Sequence, residues 1–339
     1  MPELPAIGLR LHGGLDPRVC IELADIAEAN GLSSVWFAEN PFQRGMMPAA
    51  SACAWMTRRL RIGLGIVNVY AHHPTLIAME FTALDELAEG RAVLGIGSGI
   101  RRLVERMGFA WQPLASMRDA IEILRGLLAG EEVTYRGRVF SVEKARLGFQ
   151  PSRPDAPIYM AAMGDRSLDL CGRLADGLIV SNLCPPRYTE RAVAIVGQAA
   201  ADAGRAAPAV VQYVPCVALA DRDMARRAAM AQIGEMMATF WPIDSGWPVL
   251  RETIVELSGI PRSAFVAALD RLRGGEPAEQ VLDERFINAF AICGTAEDCL
   301  ARAANYRTAG VDELVLTFAG DEPPNEIEYL GGALAKARR

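Results

Sequence analysis

The stretch Ala83-Leu-Asp-Glu-Leu-Ala-Glu-Gly-Arg-Ala-Val-Leu-Gly-Ile-Gly-Ser-Gly99 runs from a helical segment into a short apolar strand, Ala92–Ile96, that empties into glycines. A helix, a strand and a glycine-rich exit make one unit of an α/β repeat. The glycines invite a dinucleotide-fold reading, which fails on spacing. The fingerprint needs a third glycine where Ile100 stands, and no carboxylate ends a next strand ~20 residues on. Two explanations of Gly97, Ser98 and Gly99 remain. They form a tight exit turn that needs positive φ, or their missing side chains let a flat cofactor approach the backbone.

Outward from this unit, the same alternation continues. Strands are expected at Ile7–Leu11, Ser34–Ala38, Arg61–Val69, Ile158–Ala162, Gly177–Ser181, Val210–Leu219 and Glu313–Phe318. With Ala92–Ile96 these make eight, which fits a (β/α)8 TIM barrel better than an open doubly wound sheet. Asp16-Pro17 reads as an N-cap followed by proline at the first helical position, and Gly31 as the C-terminal glycine of the same helix. Within it Val19, Leu23, Ile26 and Ala27 recur at helical spacing and are expected to pack on the sheet. A helix is expected over Ser116–Leu128, then a hairpin over Tyr135–Phe140 turning at Gly137. The stretch Asp221–Asn288 is rich in Ala, Met and Arg and is broken at Trp241-Pro242, Trp247-Pro248 and Gly274–Pro277. It reads as a helical insertion before the last strand, covering the active-site face of a single domain that runs over residues 1–339.

Composition fits that picture. The 339 residues are 51% hydrophobic and 22% charged, a globular profile with ample core material. A net charge of −6, with no basic stripe among 41 acidic residues, argues against nucleic acid and for a small-molecule substrate. No leader-like N-terminus and no run of ~18 apolar residues is present, so a cytoplasmic protein without membrane contact is expected. The seven cysteines are odd in number and hold no C-x-x-C pair, which predicts buried small apolar residues rather than a disulfide or zinc framework.

Barrel enzymes place their chemistry at the C-terminal ends of the strands. Those ends are His12-Gly-Gly14, Glu39-Asn40, Val67-Asn68, Gly97-Ser-Gly99, Met163-Gly-Asp165, Ser181-Asn182 and Phe318. Met163-Gly164-Asp165-Arg166-Ser167 ends a strand and opens a helix, whose free N–H groups and dipole attract an anion, with Arg166 in support; Asp165 or Ser167 as a simple N-cap is the plainer role. Glu39 is either a carboxylate in the mouth beside a flat ligand or a turn cap. His12 is a general acid or a capped strand end. His72-His73 is no metal site, since adjacent histidines diverge and no third ligand cluster is visible.

The segment Ile62-Gly-Leu-Gly-Ile-Val-Asn-Val-Tyr-Ala-His-His-Pro74 resembles the third-strand motif of the bacterial luciferase-like superfamily, in particular its coenzyme F420-dependent branch, which includes methylenetetrahydromethanopterin reductase. Trp36–Asn40, Ala83–Gly99, Ile158–Gly164, Ala175–Leu178 and Gly310–Val315 agree with that superfamily in order. The resemblance implies a TIM barrel and a non-proline cis peptide, here Gly65–Ile66, forming a bulge behind the ring of the cofactor. It places Gly65, Ile66, Val67 and Asn68, the loop Gly97–Gly99 and the Met163–Ser167 helix start around that cofactor, and Glu39 and Asn40 at the reacting centre. It also implies hydride transfer between F420 and an organic substrate, and a homodimer. An FMN-dependent monooxygenase and a non-catalytic flavin-binding protein are the alternatives. Departures are visible: relatives often carry Asp-His where Glu39-Asn40 stand, proline in place of Val69, arginine in place of His72, and proline in place of Asp165. With the histidine missing, the proton is expected to come from Glu39 or, failing that, from water rather than from any residue.

Overall fold

The computed structural model describes residues 3–241 and 248–338. The chain begins β1 (Ala6–His12), α1 (Pro17–Ala29), β2 (Ser34–Ala38), α2 (Met47–Met56), β3 (Arg61–Asn68), α3 (Pro74–Leu87) and β4 (Ala92–Gly97). Next come α4 (Arg101–Arg106), α5 (Pro113–Leu128), the hairpin strands β5 (Val133–Arg136) and β6 (Ser141–Ala145), then β7 (Ile158–Ala161), α6 (Asp165–Leu174), β8 (Gly177–Val180), α7 (Pro186–Asp202) and β9 (Ala209–Ala218). A helical block follows: α8 (Arg222–Phe240), α9 (Pro248–Ser258), α10 (Arg262–Arg273), α11 (Ala278–Val281) and α12 (Glu284–Phe290). The chain closes with β10 (Ile292–Gly294), α13 (Ala296–Thr308), β11 (Glu313–Phe318) and α14 (Pro323–Ala337).

Strands β1, β2, β3, β4, β7, β8, β9 and β11 form a closed ring, each parallel to its neighbours, with β11 returning to β1. This is the expected TIM barrel, and each of its eight strands lies within one residue of the expected bounds at either end. The strands are buried on both faces, one toward the helices and one toward the barrel axis, which is why they read as continuous apolar runs. Trp36, Val93, Tyr159, Ile179, Val211, Tyr213 and Val315 pack together inside the ring and fill its lower interior.

Helix α1 begins as its sequence demands: the Asp16 carboxylate accepts the Arg18 N–H at 2.9 Å, and Gly31 ends the unit at φ +75°. One expectation for it fails. Val19 is 39% exposed, and Cys20, Leu23, Ala24 and Ala27 form the buried stripe, because the sheet-facing arc is centred one residue further along. The hairpin is present and is tied to α5 by Asp119, which accepts the Val139 and Phe140 N–H groups at 2.6 and 3.1 Å. The helical insertion falls where expected, with two elements the strand pattern did not reveal. The short β10 pairs with β9 outside the ring, and its three residues are too few to register as a period. The six-residue α4 lies between β4 and α5. The breaks expected at Pro242 and Trp247 lie outside the described residues. Among the described residues no helix is long and apolar enough to cross a membrane, and all seven cysteines are free, six of them buried.

Candidate active site

Between β3 and β4 the register slips. Gly65 pairs with Gly95 and Val67 with Ile96, leaving Ile66 as an extra residue beside the cis Gly65–Ile66 peptide bond. The bulge turns Ile66 inward to the barrel cluster and Val67 outward to the helices, so a strand that would otherwise alternate presents one isoleucine to the interior. Three glycines make this possible. A Cβ on Gly65 would run into the Tyr213 hydroxyl, which donates to the Gly65 carbonyl at 2.8 Å. A Cβ on Gly97 would lie 2.8 Å from Cγ1 of Ile66. Gly99, at φ +65°, leaves room for the Asn68 amide. Gly99 thus has the positive φ expected of the exit turn, and Gly97 and Gly99 in addition leave room for the Ile66 and Asn68 side chains of β3.

Above Ile66 opens a cavity of about 900 Å³ at the C-terminal end of the ring. Ile66, Gly97, Ser98, Gly99 and the whole of Met163-Gly-Asp-Arg-Ser167 line it, as does Asn40. Its roof comes from the insertion, through Gln232, Met236 and Phe240 of α8 and Leu250 and Thr253 of α9. Arg102 of α4 donates to the Thr239 carbonyl at 3.0 Å and ties that roof to the β4 exit. Trp111 donates to the Ser98 carbonyl at 3.1 Å and holds the glycine loop.

Glu39, expected in the mouth, stands behind the wall and does not line the cavity. Its carboxylate accepts the Asn68 N–H at 2.7 Å and pairs with His72 Nε2 at 2.6 Å. That pairing raises the His72 pKa above its ordinary value. Asn68 is 1% exposed, and its Oδ1 accepts the Tyr70 N–H at 2.9 Å while its Nδ2 is buried without a partner against Gly99. Gly65, Val67 and Asn68 thus support the bulge from behind, and Ile66 alone of the four faces the cavity. The strand-end pattern places Val67 and Phe318 at the mouth, and the structure does not. The bulge exchanges Val67 for Ile66, and the two-residue strand period exchanges Phe318 for Thr317. His73 caps α3, accepting the Thr75 N–H, and the two histidines diverge. No cluster of metal-ligand side chains exists among the described residues.

At the opposite wall Gly164 is the N-cap of α6 and Ser167 Oγ donates to its carbonyl at 2.7 Å, so neither Asp165 nor Ser167 caps the helix, and the residues of its first turn, whose leading N–H groups have no partner within a helix, line the cavity. Asp165 is paired bidentately with Arg191, 2.8 Å at both contacts, and that guanidinium holds its carboxyl below the usual range.

The residues that strand-end reading passed over are Arg10 and Thr317, which project from within strands. His12 was seen there and does face the cavity. Its Nδ1 accepts the Gly14 N–H at 3.1 Å, and burial together with the charge of Arg10 lowers its pKa. The ring is therefore neutral near pH 7, with its proton on Nε2.

The chain matches the luciferase-like monooxygenase family over residues 4–313. It belongs to that family. It is 32% identical over 317 residues to a 5,10-methylenetetrahydromethanopterin reductase of Archaeoglobus fulgidus, covering 90% of this chain and 91% of the relative. In structure it superimposes on the coenzyme F420-dependent tetrahydromethanopterin reductase of Methanopyrus kandleri with a TM-score of 0.87 at 24% identity, over 99% and 100% of the two chains. It also matches the oxygenating constituent of 3,6-diketocamphane monooxygenase of Pseudomonas putida, a complex with FMN, with a TM-score of 0.75 at 18% identity and 98% coverage of both.

Proposed function

We propose that this chain is an F420-dependent oxidoreductase, acting in the manner of 5,10-methylenetetrahydromethanopterin reductase on an organic substrate. The observation that carries the reading is the inward Ile66 bulge facing a large roofed cavity, with a helix N-terminus on the far wall. When bound, the deazaflavin donates or accepts a hydride, the chemistry belonging to the cofactor itself. The residues fit such a group. Ile66 offers an apolar support for one face of a tricycle. The first N–H groups of α6, with Arg166, offer the charge complement of its phosphate. At about 900 Å³ the cavity would take a tricycle held against Ile66 with space left for a substrate.

The chain's own residues then have distinct tasks. His12, with Nδ1 engaged by the Gly14 N–H, has Nε2 left as a donor toward substrate, and Asn40, whose Nδ2 donates to Gln43 Oε1 at 3.2 Å, lines the same cavity. Glu39, with both oxygens engaged, acts as a positioning residue that holds the turn after β3. The insertion roofs the cavity, and the water it would displace on substrate binding would strengthen the polar contacts below it. A cytoplasmic homodimer belongs to the same reading, the exposed Trp55 and Met56 of α2 and Met79 of α3 supplying an apolar flank; sedimentation tests the dimer.

The test is titration of apoprotein with F420 and, separately, with FMN, read by fluorescence. Micromolar binding of F420 with FMN much weaker is expected. Preference for FMN moves the chain to the monooxygenase branch.

A further inference from the structure

Strand β1 carries a charge into the barrel without an opposite charge to meet it. Arg10 lies halfway along the inward face of β1, two residues below His12, with its guanidinium over the Tyr213 ring at 5.3 Å from the centroid. Its side chain lines the cavity, and its Nε is buried without a hydrogen-bond partner. Among the described residues it makes no ion pair. Glu313, on the adjoining strand, is already held by Arg61 at 2.7 Å and by the Ser34 hydroxyl. Burial lowers the Arg10 pKa, as it must for a cation moved out of water without compensation.

Beside Arg10, a second polar group is unsatisfied. The registered pair Leu9 and Leu316 puts residues 10 and 317 next to each other, on the same face of β1 and β11. Thr317 also lines the cavity, and its buried hydroxyl has no partner. Buried polar groups without partners are uncommon, and each costs free energy until something supplies the missing bond. Two such groups side by side, one cationic and one a neutral donor, at the floor of one cavity are complementary to an oxyanion.

The cofactor phosphate does not meet this need. In the ring order β1, β2, β3, β4, β7, β8, β9, β11, strand β7 lies four places from β1. The α6 N-terminus is thus on the diametrically opposite wall, with the Ile66 bulge between. We propose that Arg10 and Thr317 form the anchoring subsite for an oxyanion on the substrate, a carboxylate bound by the guanidinium and the Thr317 hydroxyl, and that the substrates of this chain are organic acids. The proposal rests on the reading of the cavity as the cofactor and substrate site. It assigns Arg10 a role in specificity: the carboxylate would be held by Arg10 and Thr317, two residues along β1 from His12, in the same cavity that would take the cofactor. The planar fork of arginine suits a carboxylate bidentately, and Tyr213 beneath it restricts the guanidinium plane.

The experiment uses cofactor-loaded protein and two flat probes of the same shape, benzoate and benzamide, followed by calorimetry and by the cofactor absorbance. Wild-type protein is expected to bind benzoate at least about tenfold more tightly than benzamide, the scale of one charge-assisted contact. Arg10→Gln removes that preference while the benzamide and cofactor Kd values stay within about twofold, which also verifies an intact cavity. Arg10→Met, which keeps the stem against Tyr213, does the same. Thr317→Val weakens benzoate by about threefold and leaves benzamide unchanged. Equal binding of the two probes to wild type overturns the proposal, as does a preference that survives in both Arg10 variants. If Arg10→Gln weakens the cofactor about tenfold and leaves the benzoate to benzamide ratio intact, Arg10 serves the ring and the subsite does not exist. Binding of FMN in place of F420 overturns the functional reading alone, and the same probe ratio is then measured on the FMN-loaded protein.

Discussion

Gly97→Ala tests whether the β4 glycines exist for the sake of Ile66. The added methyl would lie 2.8 Å from Cγ1, 2.9 Å from Cδ1 and 3.3 Å from Cβ of Ile66. Carbon atoms in contact settle near ~3.5 Å, so Ile66 must retreat by roughly 0.7 Å, the difference between that value and 2.8 Å. The retreat is directed into the cavity, since β4 blocks the other side and the cis Gly65–Ile66 bulge is anchored beneath by the Tyr213 hydroxyl. Overpacking of this kind costs about 1–3 kcal/mol of stability. On the proposed placement of the cofactor, the displaced isoleucine would also intrude on the ring, and a loss of about 1.4 kcal/mol there would raise the F420 Kd about tenfold. Equilibrium urea unfolding reads the first effect and fluorescence titration the second. Gly197→Ala, on α7 with open space around its Cβ, is the control, expected to stabilise by about 0.5–1 kcal/mol and leave F420 binding alone. F420 affinity unchanged in Gly97→Ala would refute the role given to Ile66, whatever the stability change.

Gly65→Val brings a branched side chain onto the Tyr213 hydroxyl and is expected to abolish F420 binding; affinity equal to wild type would remove the bulge from the site. Glu39→Gln breaks the ion pair with His72, whose folded pKa is raised above about 6.5, so the pair contributes fully below that pH and is lost as pH rises through the raised value. The stability deficit of the variant should be about 1 kcal/mol larger at pH ~5.5 than at pH ~9 in urea unfolding, and a deficit that grows with pH would contradict the pairing. Asp165→Asn removes a negative charge from the first turn of α6 and releases Arg191, and is expected to tighten F420 by about two- to fivefold, more at low salt; looser binding would argue against an anion at that helix start.

The barrel was legible because its strands are buried on both faces and its helix caps are local. Asp16-Pro17 and the apolar run Arg61–Asn68 identify a helix start and a strand without reference to anything distant. The glycine loop and the α6 start were legible as places, since strand ends in a barrel converge on one mouth. What each side chain does there was less so. Glu39 lies at the right end of the right strand, yet its carboxylate turns back to Asn68 and His72, a choice made by residues 29 and 33 positions away.

Arg10 and Thr317 show the limit more sharply. In the sequence each is one polar residue inside an apolar strand, and nothing local tells an inward residue from an outward one. The amino-acid sequence by itself determines the eight strands, their order and the capped helices, because strand burial and helix capping are short-range physics. Only the closure of the ring decides which alternate residues meet across β1 and β11, and only the slip between β3 and β4 decides that Ile66, not Val67, faces the cavity. Those facts depend on register, a relation between segments that no single segment contains.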